Sequence, residues 1–310
     1  PGIVLDHLNS YLKPHNLFFP VDISTASRAT IGGMTANNSC GGRSLRYGIM
    51  VDNVHSIDAL LINGEHARFS DTPRDISQIR GTKHYRQLVS SVREIAEREM
   101  SELESAFPKL KRRVGGYNLD TIDPQGHNMA KLLVGSEGTL ATFKNIELYL
   151  QQIPQHKVMG VCHFPTFYAA MDAAQHLVKL GPVAVELIDR TMIELARNIP
   201  IFKSTIDSFV KGEPDAVLLV EFSGDDLGPL KEKLQELDTM MSDLGYPKAI
   251  IEAIDPVFQS KITEVRQQGL NIMMSMKTSG KPVSFIEDCA VPLENLAEYT
   301  HRLTEVFKKY

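Results

Sequence analysis

The chain has 310 residues, of which 43% are hydrophobic and 23% are charged. A chain of this length can bury a large core and has room for about two domains. Its 38 acidic and 33 basic side chains give a net charge of −5, without the basic excess that proteins use to neutralise nucleic-acid phosphates. No uninterrupted apolar run reaches the roughly 18 to 20 residues of a membrane-spanning helix. The composition therefore argues against a nucleic-acid partner and a transmembrane segment.

Three cysteines lie far apart in the sequence: Cys40, Cys162 and Cys289. None has a second thiol at the spacing of a metal site, and we interpret His163, beside Cys162, as part of a buried strand. The sequence thus predicts no metal site. Few cysteines favour a reducing cytoplasm, with the periphery of the inner membrane as an alternative location. The chain runs from Pro1 to Tyr310 and stops inside an amphipathic pattern, which predicts a piece of a longer protein.

The first half of the chain alternates helical and extended patterns. Residues 3–12 have the apolar spacing of a helix. Residues 51–70 have the pattern of two strands joined at Asn63-Gly64, the dipeptide that best suits a two-residue type I′ turn. Residues 83–106 have the pattern of a charged amphipathic helix. Residues 129–150 predict a helix end, a glycine loop and a strand.

Beyond residue 155, short β-rich runs alternate with helical segments. The β-rich runs lie at residues 157–164, 183–188, 216–222, 248–254 and 282–291. Strands and helices of this size that alternate along the chain predict a split β-α-β sheet with helices on one face. The polar segment QQIPQ marks a domain boundary, and we place the first domain at residues 1–153 and the second at residues 154–310.

A glycine-rich stretch, ATIGGMTANNSCGGRSLRYG at residues 29–48, is flexible in composition and carries few charges. Gly32-Gly33 and Gly41-Gly42 allow backbone conformations closed to other residues, so main-chain N–H groups can converge on a ligand. Hydroxyl and amide side chains between them add hydrogen-bonding groups without charge, which suits a flavin dinucleotide. A single glycine pair is more often only a tight turn. The stretch alone leaves both interpretations open.

Several segments together resemble a known family. FFPVD, ATIGGMTANNSCGG, LRYG with VDNV, GYNLD and KLLVGSEGTLA have the order and approximate spacing found in FAD-linked oxidases of the vanillyl-alcohol-oxidase (PCMH) type. The branch that the chain resembles contains the D-lactate, glycolate and D-2-hydroxyglutarate dehydrogenases, including long bacterial forms with an iron–sulfur domain. VAVELID, LLVEFSGDD, VRQQG and VSFIEDCAVP are similar to the cap domain of that family. The resemblance therefore covers nearly the whole chain.

The resemblance implies an α+β fold, with the second subdomain of a PCMH-type FAD-binding domain followed by a ferredoxin-like cap domain. It also implies FAD as the cofactor and a set of residues along it: Pro20, Ala29, Thr30, Ile31, Gly32, Gly33, Asn38, Ser39, Gly41, Tyr47, Gly48, Gly135, Ser136, Glu137, Gly138 and Thr139. Glu137 can contact ribityl hydroxyls or be an ordinary loop acid. Arg46 can face the cofactor or form a surface ion pair.

The family's substrates are 2-hydroxy acids, whose carboxylate is best bound by the two parallel donors of a guanidinium. The resemblance places such an arginine in the basic run KLKRR, as Arg112 or Arg113, with Tyr117 nearby. Arg266 is a second candidate, from the cap. A solvated basic cluster at a helix end remains the alternative for the basic run.

Two features of the family have no counterpart in the chain. A glycine loop for the FAD pyrophosphate would precede Pro1, and a histidine-bearing region that binds a divalent metal and accepts the substrate proton would follow Tyr310. Glu287 and Asp288 resemble an acidic pair of the cap strand, for which a salt bridge is as good an interpretation as a catalytic role. We predict that the chain alone is inactive.

The resemblance implies part of a flavin-dependent dehydrogenase that converts a D-2-hydroxy acid to the 2-oxo acid and passes electrons to an iron–sulfur domain or a quinone. The alternative is a non-catalytic ligand-binding protein that keeps the flavoprotein scaffold. A nicotinamide enzyme is disfavoured because the chain has no G-x-G-x-x-G between a strand and a helix.

Overall fold

The computed structural model describes residues 1–110, 112–269 and 289–310. The described chain divides into two compact units, Pro1–Ile153 and Pro154–Tyr310. Helices and antiparallel sheets occur in both units, so the predicted α+β class is confirmed. Most of the β-rich run at residues 282–291, including Glu287 and Asp288, lies outside the described residues, as does Lys111 of the basic run.

The first unit places short helices around small antiparallel sheets. Its helices are α1 (Leu5–Leu12), α2 (Ile31–Ala36), α3 (Ser44–Tyr47), α4 (Met50–Asn53), α5 (Lys83–Arg98), α6 (Met100–Ala106) and α7 (Ala130–Leu133). Its strands are β1 (Leu17–Phe18), β2 (Val54–Leu60), β3 (His66–Phe69), β4 (Asp71–Pro73), β5 (Gly126–Asn128), β6 (Thr142–Leu148) and β7 (Gln151–Gln152). The strands pair in the orders β3-β2-β6, β4-β5 and β1-β7.

The β2–β3 hairpin does not have the predicted type I′ turn. The N–H of Leu61 donates to the carbonyl of Glu65, and the N–H of Gly64 donates to the carbonyl of Leu61, both at 2.9 Å. The loop therefore has three residues. Gly64 has a φ of +82°, whereas Asn63 is not among the residues with positive φ. The Asn63 side chain instead accepts the N–H of Glu65 at 3.0 Å, and the left-handed glycine closes the longer loop.

The helix predicted at residues 83–106 is interrupted. Glu99, with φ −98° and ψ 13°, ends α5 and precedes α6. The apolar stripe of α5 buries Tyr85, Val89 and Ala96, but α6 has no buried residue. The charged pattern continues across Glu99, so periodicity alone did not indicate where the buried face ends.

A buried arginine joins α5 to the β4–β5 sheet. Arg93 is 6% exposed. Its guanidinium donates to the hydroxyl of Thr72 at 3.0 Å and to the carbonyls of Pro73 and Arg74 at 2.7 and 2.8 Å. Burial lowers the pKa of Arg93. Backbone carbonyls at and just after the end of β4 thus stabilise a cation that the sequence places on the buried face of a helix.

His127 in β5 is buried in the same region. Its Nδ1 lies 2.9 Å from the carbonyl oxygen of Asp123, and its Nε2 lies 3.0 Å from the sulfur of Met129. Burial is the main cause that lowers the pKa of His127, and the charge of Arg93 acts in the same direction. The imidazole is therefore held in its neutral form at neutral pH.

The second unit is built on one four-stranded antiparallel sheet. Its strands are β8 (His156–Phe164), β9 (Ala184–Asp189), β10 (Ala216–Gly224) and β11 (Ile250–Ala253), in the order β11-β8-β10-β9. This order is that of a ferredoxin-like sheet. Its helices are α8 (Phe167–Leu177), α9 (Arg190–Arg197), α10 (Pro200–Phe209), α11 (Leu227–Asp243), α12 (Pro256–Gln267) and a last helix at Leu296–Lys309.

Helices cover both faces of this sheet, so the prediction of one covered face was wrong. Val158 and Cys162 of β8 belong to a core with α8 and α11. Met159 and Val161 of the same strand belong to a core with α9, α10 and α12. Strands buried on both faces have continuous apolar runs instead of alternation. The run AVLLVEF in β10 already carries that signal.

We expect the first unit to lose stability as the pH falls below the ordinary histidine pKa of about 6.5. Because the folded-state pKa of His127 is lowered, the unfolded chain takes up the proton first. The stability present at neutral pH is therefore lost from about pH 6.5 downward, toward the folded pKa. Hydrogen exchange of α5 and β5 peptides, corrected for intrinsic exchange rates, measures this loss.

Replacing His127 removes the titrating group, so His127→Gln should show a flatter dependence of exchange protection on pH. His7→Gln, which changes an exposed histidine of α1, should keep the dependence of the unmodified chain. Equal slopes for the two variants would contradict the assignment to His127.

Candidate functional site

The glycine-rich stretch at residues 29–48 is partly helical. Thr30 caps α2, and its Oγ1 accepts the N–H of Gly33 at 3.2 Å. The N–H of Gly32 donates to the carbonyl of Pro1 at 2.7 Å, which anchors the first turn of α2 to the start of the chain. Helix α3 follows and ends at Gly48, with φ +72°. The stretch is thus two short helices joined by a turn, in which main-chain N–H groups already have several internal partners.

Gly41 lies where two backbone segments approach closely. A Cβ on Gly41 would lie 1.7 Å from the carbonyl oxygen of Asp22. The Asp22 carboxylate accepts the N–H of Arg43 at 3.0 Å, and the N–H of Gly41 donates to the hydroxyl of Ser44 at 3.0 Å. Pro20, two residues before Asp22, is buried. Sequence reasoning did not identify Asp22, although it lies in the FFPVD segment.

A second loop, GSEGT at residues 135–139, meets the glycine-rich stretch. The N–H of Gly135 donates to the carbonyl of Thr35, and the N–H of Glu137 donates to the carbonyl of Ala36, both at 2.9 Å. Gly135, Glu137 and Gly138 have φ values of +81°, +52° and +75°. The structure therefore brings together two segments that the sequence separates widely. Within the loop, Gly135 and Ser136 are buried, whereas the three residues after them are exposed.

Two polar atoms at this junction are buried without a hydrogen-bond partner among the described residues. They are Nδ2 of Asn38 and Oγ of Ser136. Asn38 has a φ of +54°, and its Oδ1 accepts the N–H of Val51 at 3.0 Å. A buried polar atom without a partner costs roughly 1–3 kcal/mol. Natural proteins keep few such groups, so each of them calls for an explanation, of which a bound ligand is one.

Two residues of the predicted substrate set contact this junction. Arg112 Nε donates to the sulfur of Cys40 at 2.8 Å. The hydroxyl of Tyr117 lies 2.8 Å from Oγ1 of Thr139, which in turn donates to the carbonyl of Ser136. The structure thus brings Arg112 to the glycine-rich stretch and Tyr117 to the GSEGT loop.

Arg113 has different surroundings. Its guanidinium pairs with Asp120 at 2.6 Å and lies 4.8 Å from the ring centre of Phe107. A groove of about 650 Å³ runs beside it. Residues of α4 and α6, residues 107–110, Arg113 and residues 118–124 line most of this groove, and no residue of the glycine-rich stretch or the GSEGT loop does. Arg113 is therefore bound within the protein scaffold.

The remaining arginine candidates, Arg266 and Arg46, have other partners. Arg266 in α12 forms an ion pair with Glu186 of β9, inside the second unit. Arg46 is exposed, and its guanidinium lies 5.5 Å from the ring centre of Tyr47. Arg46 thus contacts an aromatic residue of the predicted cofactor set.

Asn118 is a functional candidate that sequence reasoning missed. It is 1% exposed, and its Nδ2 donates to the carbonyls of Lys131 and Val134 at 3.1 and 2.8 Å. Val134 directly precedes the GSEGT loop. The available signal was its place in GYNLD, a segment that is otherwise glycine and apolar residues up to Asp120.

The residues at this junction fit a flavin dinucleotide. The glycine-rich stretch offers hydroxyl and amide groups, and the Thr30 hydroxyl keeps an O–H donor after accepting the N–H of Gly33. The unpartnered atoms of Asn38 and Ser136 are hydrogen-bonding capacity that the described chain leaves unused. An uncharged donor set of this kind suits ribityl hydroxyls and the polar edges of a flavin ring.

The described residues contain neither a metal-ligand cluster nor a membrane-spanning helix. Residues 1–110, 112–269 and 289–310 contain no group of three or more His, Cys, Asp or Glu side chains placed to hold a metal ion. In the same ranges, every helix is too short or too polar to span a lipid bilayer.

Comparison with known proteins identifies the family. Residues 153–310 match the family model described as FAD linked oxidases, C-terminal domain, and residues 1–70 match the one described as FAD binding domain. The chain belongs to the FAD-linked oxidase family, so the resemblance seen in the sequence is confirmed.

Two curated relatives and one solved structure illustrate the similarity. A D-2-hydroxyglutarate dehydrogenase of Haemophilus influenzae is 30% identical over 96% of this chain and 31% of that protein. A mitochondrial D-lactate dehydrogenase [cytochrome] of Arabidopsis thaliana is 29% identical over 97% of this chain and 43% of that protein. An alkyldihydroxyacetonephosphate synthase structure aligns with a TM-score of 0.56 at 16% identity, over 88% of this chain and 42% of that one. This last likeness supports the fold alone. The chain thus spans 31% of the length of the Haemophilus relative.

We expect Gly41→Ala to destabilise the first unit strongly. A new Cβ would overlap a backbone oxygen of Asp22, which cannot move without shifting the segment that holds Pro20. The cost should reach the upper end of the roughly 1–3 kcal/mol that overpacking produces. Gly33→Ala is the matched control, because its Cβ would lie 3.4 Å from the Thr30 hydroxyl. Hydrogen exchange of peptides from the first unit measures the stability of both variants. Equal protection in the two variants would contradict the close approach of Gly41 to the backbone of Asp22.

Proposed function

We propose that this chain forms part of the FAD site and the cap of a dehydrogenase that oxidises a D-2-hydroxy acid to the 2-oxo acid. The observation that carries the proposal is the junction of the glycine-rich stretch and the GSEGT loop, with Arg112 and Tyr117 beside it. Relatives named D-2-hydroxyglutarate dehydrogenase and D-lactate dehydrogenase support the substrate class. We assign the first unit to the second subdomain of a PCMH-type FAD-binding domain and the second unit to the cap.

The first unit would hold FAD through residues of both segments. These are Pro20, Ala29, Thr30, Ile31, Gly32, Gly33, Asn38, Ser39, Gly41, Tyr47 and Gly48 on one side, and Gly135, Ser136, Glu137, Gly138 and Thr139 on the other. When bound, FAD supplies the two-electron acceptor for a hydride from C2 of the substrate, and the hydroxyl proton passes to a base. The chain's own contribution is to bind and orient the reactants.

Arg112 is the residue that we assign to the substrate carboxylate. Its contact with Cys40 places its guanidinium at the glycine-rich stretch, and a guanidinium can present two parallel donors to a carboxylate. Arg113 pairs with Asp120 and lies over Phe107, which supports a role in the scaffold instead. Arg266 would need to leave Glu186 before it could bind substrate.

Several predictions from the sequence concern parts of a longer protein or its surroundings. They are the proton-accepting histidine, the divalent metal, the iron–sulfur domain or quinone as electron acceptor, and the location in the cytoplasm or at the inner membrane. These four features remain predictions from the sequence.

The first test is an absorption spectrum of the full-length gene product, purified and mixed anaerobically with D-2-hydroxyglutarate, D-lactate and glycolate in turn. We expect a bound flavin whose visible absorption bleaches with one of these acids, because hydride transfer reduces the flavin ring. A protein that neither carries nor takes up flavin would sink the proposal and favour the non-catalytic scaffold. A flavin that no 2-hydroxy acid bleaches would refute the substrate class alone.

A second test separates the two neighbouring arginines. We expect Arg112→Gln, in the full-length protein, to raise the KM for the hydroxy acid by roughly 10–150-fold, since hydrogen bonds to charged groups contribute about 1.5–3 kcal/mol. Arg98→Gln, an exposed change at the end of α5, is the control and should leave KM unaltered. If instead Arg113→Gln raised KM and Arg112→Gln did not, the assignment would be reversed.

A further inference from the structure

The GSEGT loop follows a very short helix whose end needs external partners. Helix α7 spans Ala130–Leu133, and the last carbonyls of any helix have no partner inside it. Asn118 Nδ2 donates to two of the carbonyls at this end, those of Lys131 and Val134. One buried amide therefore fixes the backbone immediately before Gly135.

The orientation of this amide is itself fixed. Arg113 Nη2 lies 3.4 Å from Oδ1 of Asn118, and the same nitrogen donates to Asp120 at 2.6 Å. With the oxygen facing a guanidinium, the amide nitrogen faces the two carbonyls. Phe107 covers the guanidinium from one side. Arg113 thus acts on the loop through Asn118.

The neighbouring residue contacts the other end of the loop. The hydroxyl of Tyr117 lies 2.8 Å from Oγ1 of Thr139, the last residue of GSEGT. Tyr117 and Asn118 together contact the residue before the loop and the residue that ends it. The loop is also bound to α2, through the N–H groups of Gly135 and Glu137.

We propose that Asn118 is a positioning residue: by holding the carbonyls of Lys131 and Val134, it sets the backbone of the GSEGT loop against α2 and so the shape of the FAD site. The inference rests on the proposed function for its consequence in FAD binding. Its structural part concerns only the first unit. Arg113 orients Asn118, and Tyr117 holds the far end of the loop.

The test uses Asn118→Asp and Asn118→Ala in the full-length gene product. Aspartate keeps an acceptor for Arg113 but loses both donated hydrogen bonds, and alanine loses all three contacts. For both variants we expect FAD to bind about tenfold more weakly or worse, the effect of losing two hydrogen bonds of ordinary net strength. Exchange of amides at residues 134–139 should rise, because Gly135 and Glu137 lose their fixed register with α2.

Gln259→Ala is the matched control. Gln259 is also a buried amide, 2% exposed, and its Nε2 donates to the carbonyls of Lys157, Ala253 and Ile254 in the second unit. Its loss should raise exchange around α12 and leave exchange at residues 134–139 unchanged. Equal effects of both changes on residues 134–139 would show general destabilisation and overturn the proposal.

Other outcomes are also decisive. Unchanged exchange at residues 134–139 in Asn118→Asp would overturn the proposal whatever the FAD affinity. If the unmodified protein bound no FAD, the proposed function would fail, while the exchange result would still decide the role of Asn118. If both Asn118 variants failed to fold, Tyr117→Phe supplies the test. It removes one exposed hydroxyl and should raise exchange at the Thr139 end of the loop, and no rise would overturn the proposal.

Discussion

Two backbone hydrogen bonds hold the candidate site together. The N–H groups of Gly135 and Glu137 donate to the carbonyls of Thr35 and Ala36, which are the last two residues of α2. Neither carbonyl has a partner within the six residues of α2, although the carbonyl of Thr35 also accepts the N–H of Asn38 at 3.4 Å. The GSEGT loop therefore terminates α2 and forms one side of the proposed cofactor site at the same time. A change that moved the loop would also expose the end of the helix.

The short helices of the first unit depend on contacts of this kind. Helices α2 and α7 have six and four residues, far below the roughly 12–15 residues at which isolated helices become marginally stable. Their stability must come from tertiary contacts. Ile31 and Met34 of α2 and three residues of α7 are buried in the core of the first unit. The start of the chain and the GSEGT loop add hydrogen bonds at the ends of α2, and Asn118 adds them at the end of α7. FAD would then bind beside the ends of two short, buried helices whose terminal carbonyls are held by side-chain and loop contacts.

The sequence was a good guide where a pattern has one physical meaning. The continuous apolar strands and amphipathic helices of the second unit indicated an α+β sheet domain, and the family resemblance was confirmed by the matched domains. It was less informative where one pattern is compatible with several local structures or where tertiary contacts decide between them. Asn63-Gly64 suits a two-residue turn. The structure has a three-residue loop instead, in which the side-chain oxygen of Asn63 accepts the N–H of Glu65. Helix α5 ends before Glu99, beyond which α6 buries no residue, and the charged pattern of the sequence gives no sign of this break.

The basic run shows the same limit at the level of single side chains. Arg112 and Arg113 are identical in type and adjacent, so the sequence left open which of them binds substrate. In the fold, Arg112 reaches Cys40 of the glycine-rich stretch, whereas Arg113 reaches Asp120 and Asn118. Adjacent residues outside a helix direct their side chains to different neighbours, and those neighbours are fixed only by tertiary structure. In the roles proposed here, Arg112 binds the substrate at the junction and Arg113 supports the GSEGT loop through Asn118. The two proposed roles differ because the two side chains have different neighbours, and not because their chemistry differs. Substituting each arginine separately should therefore give different effects.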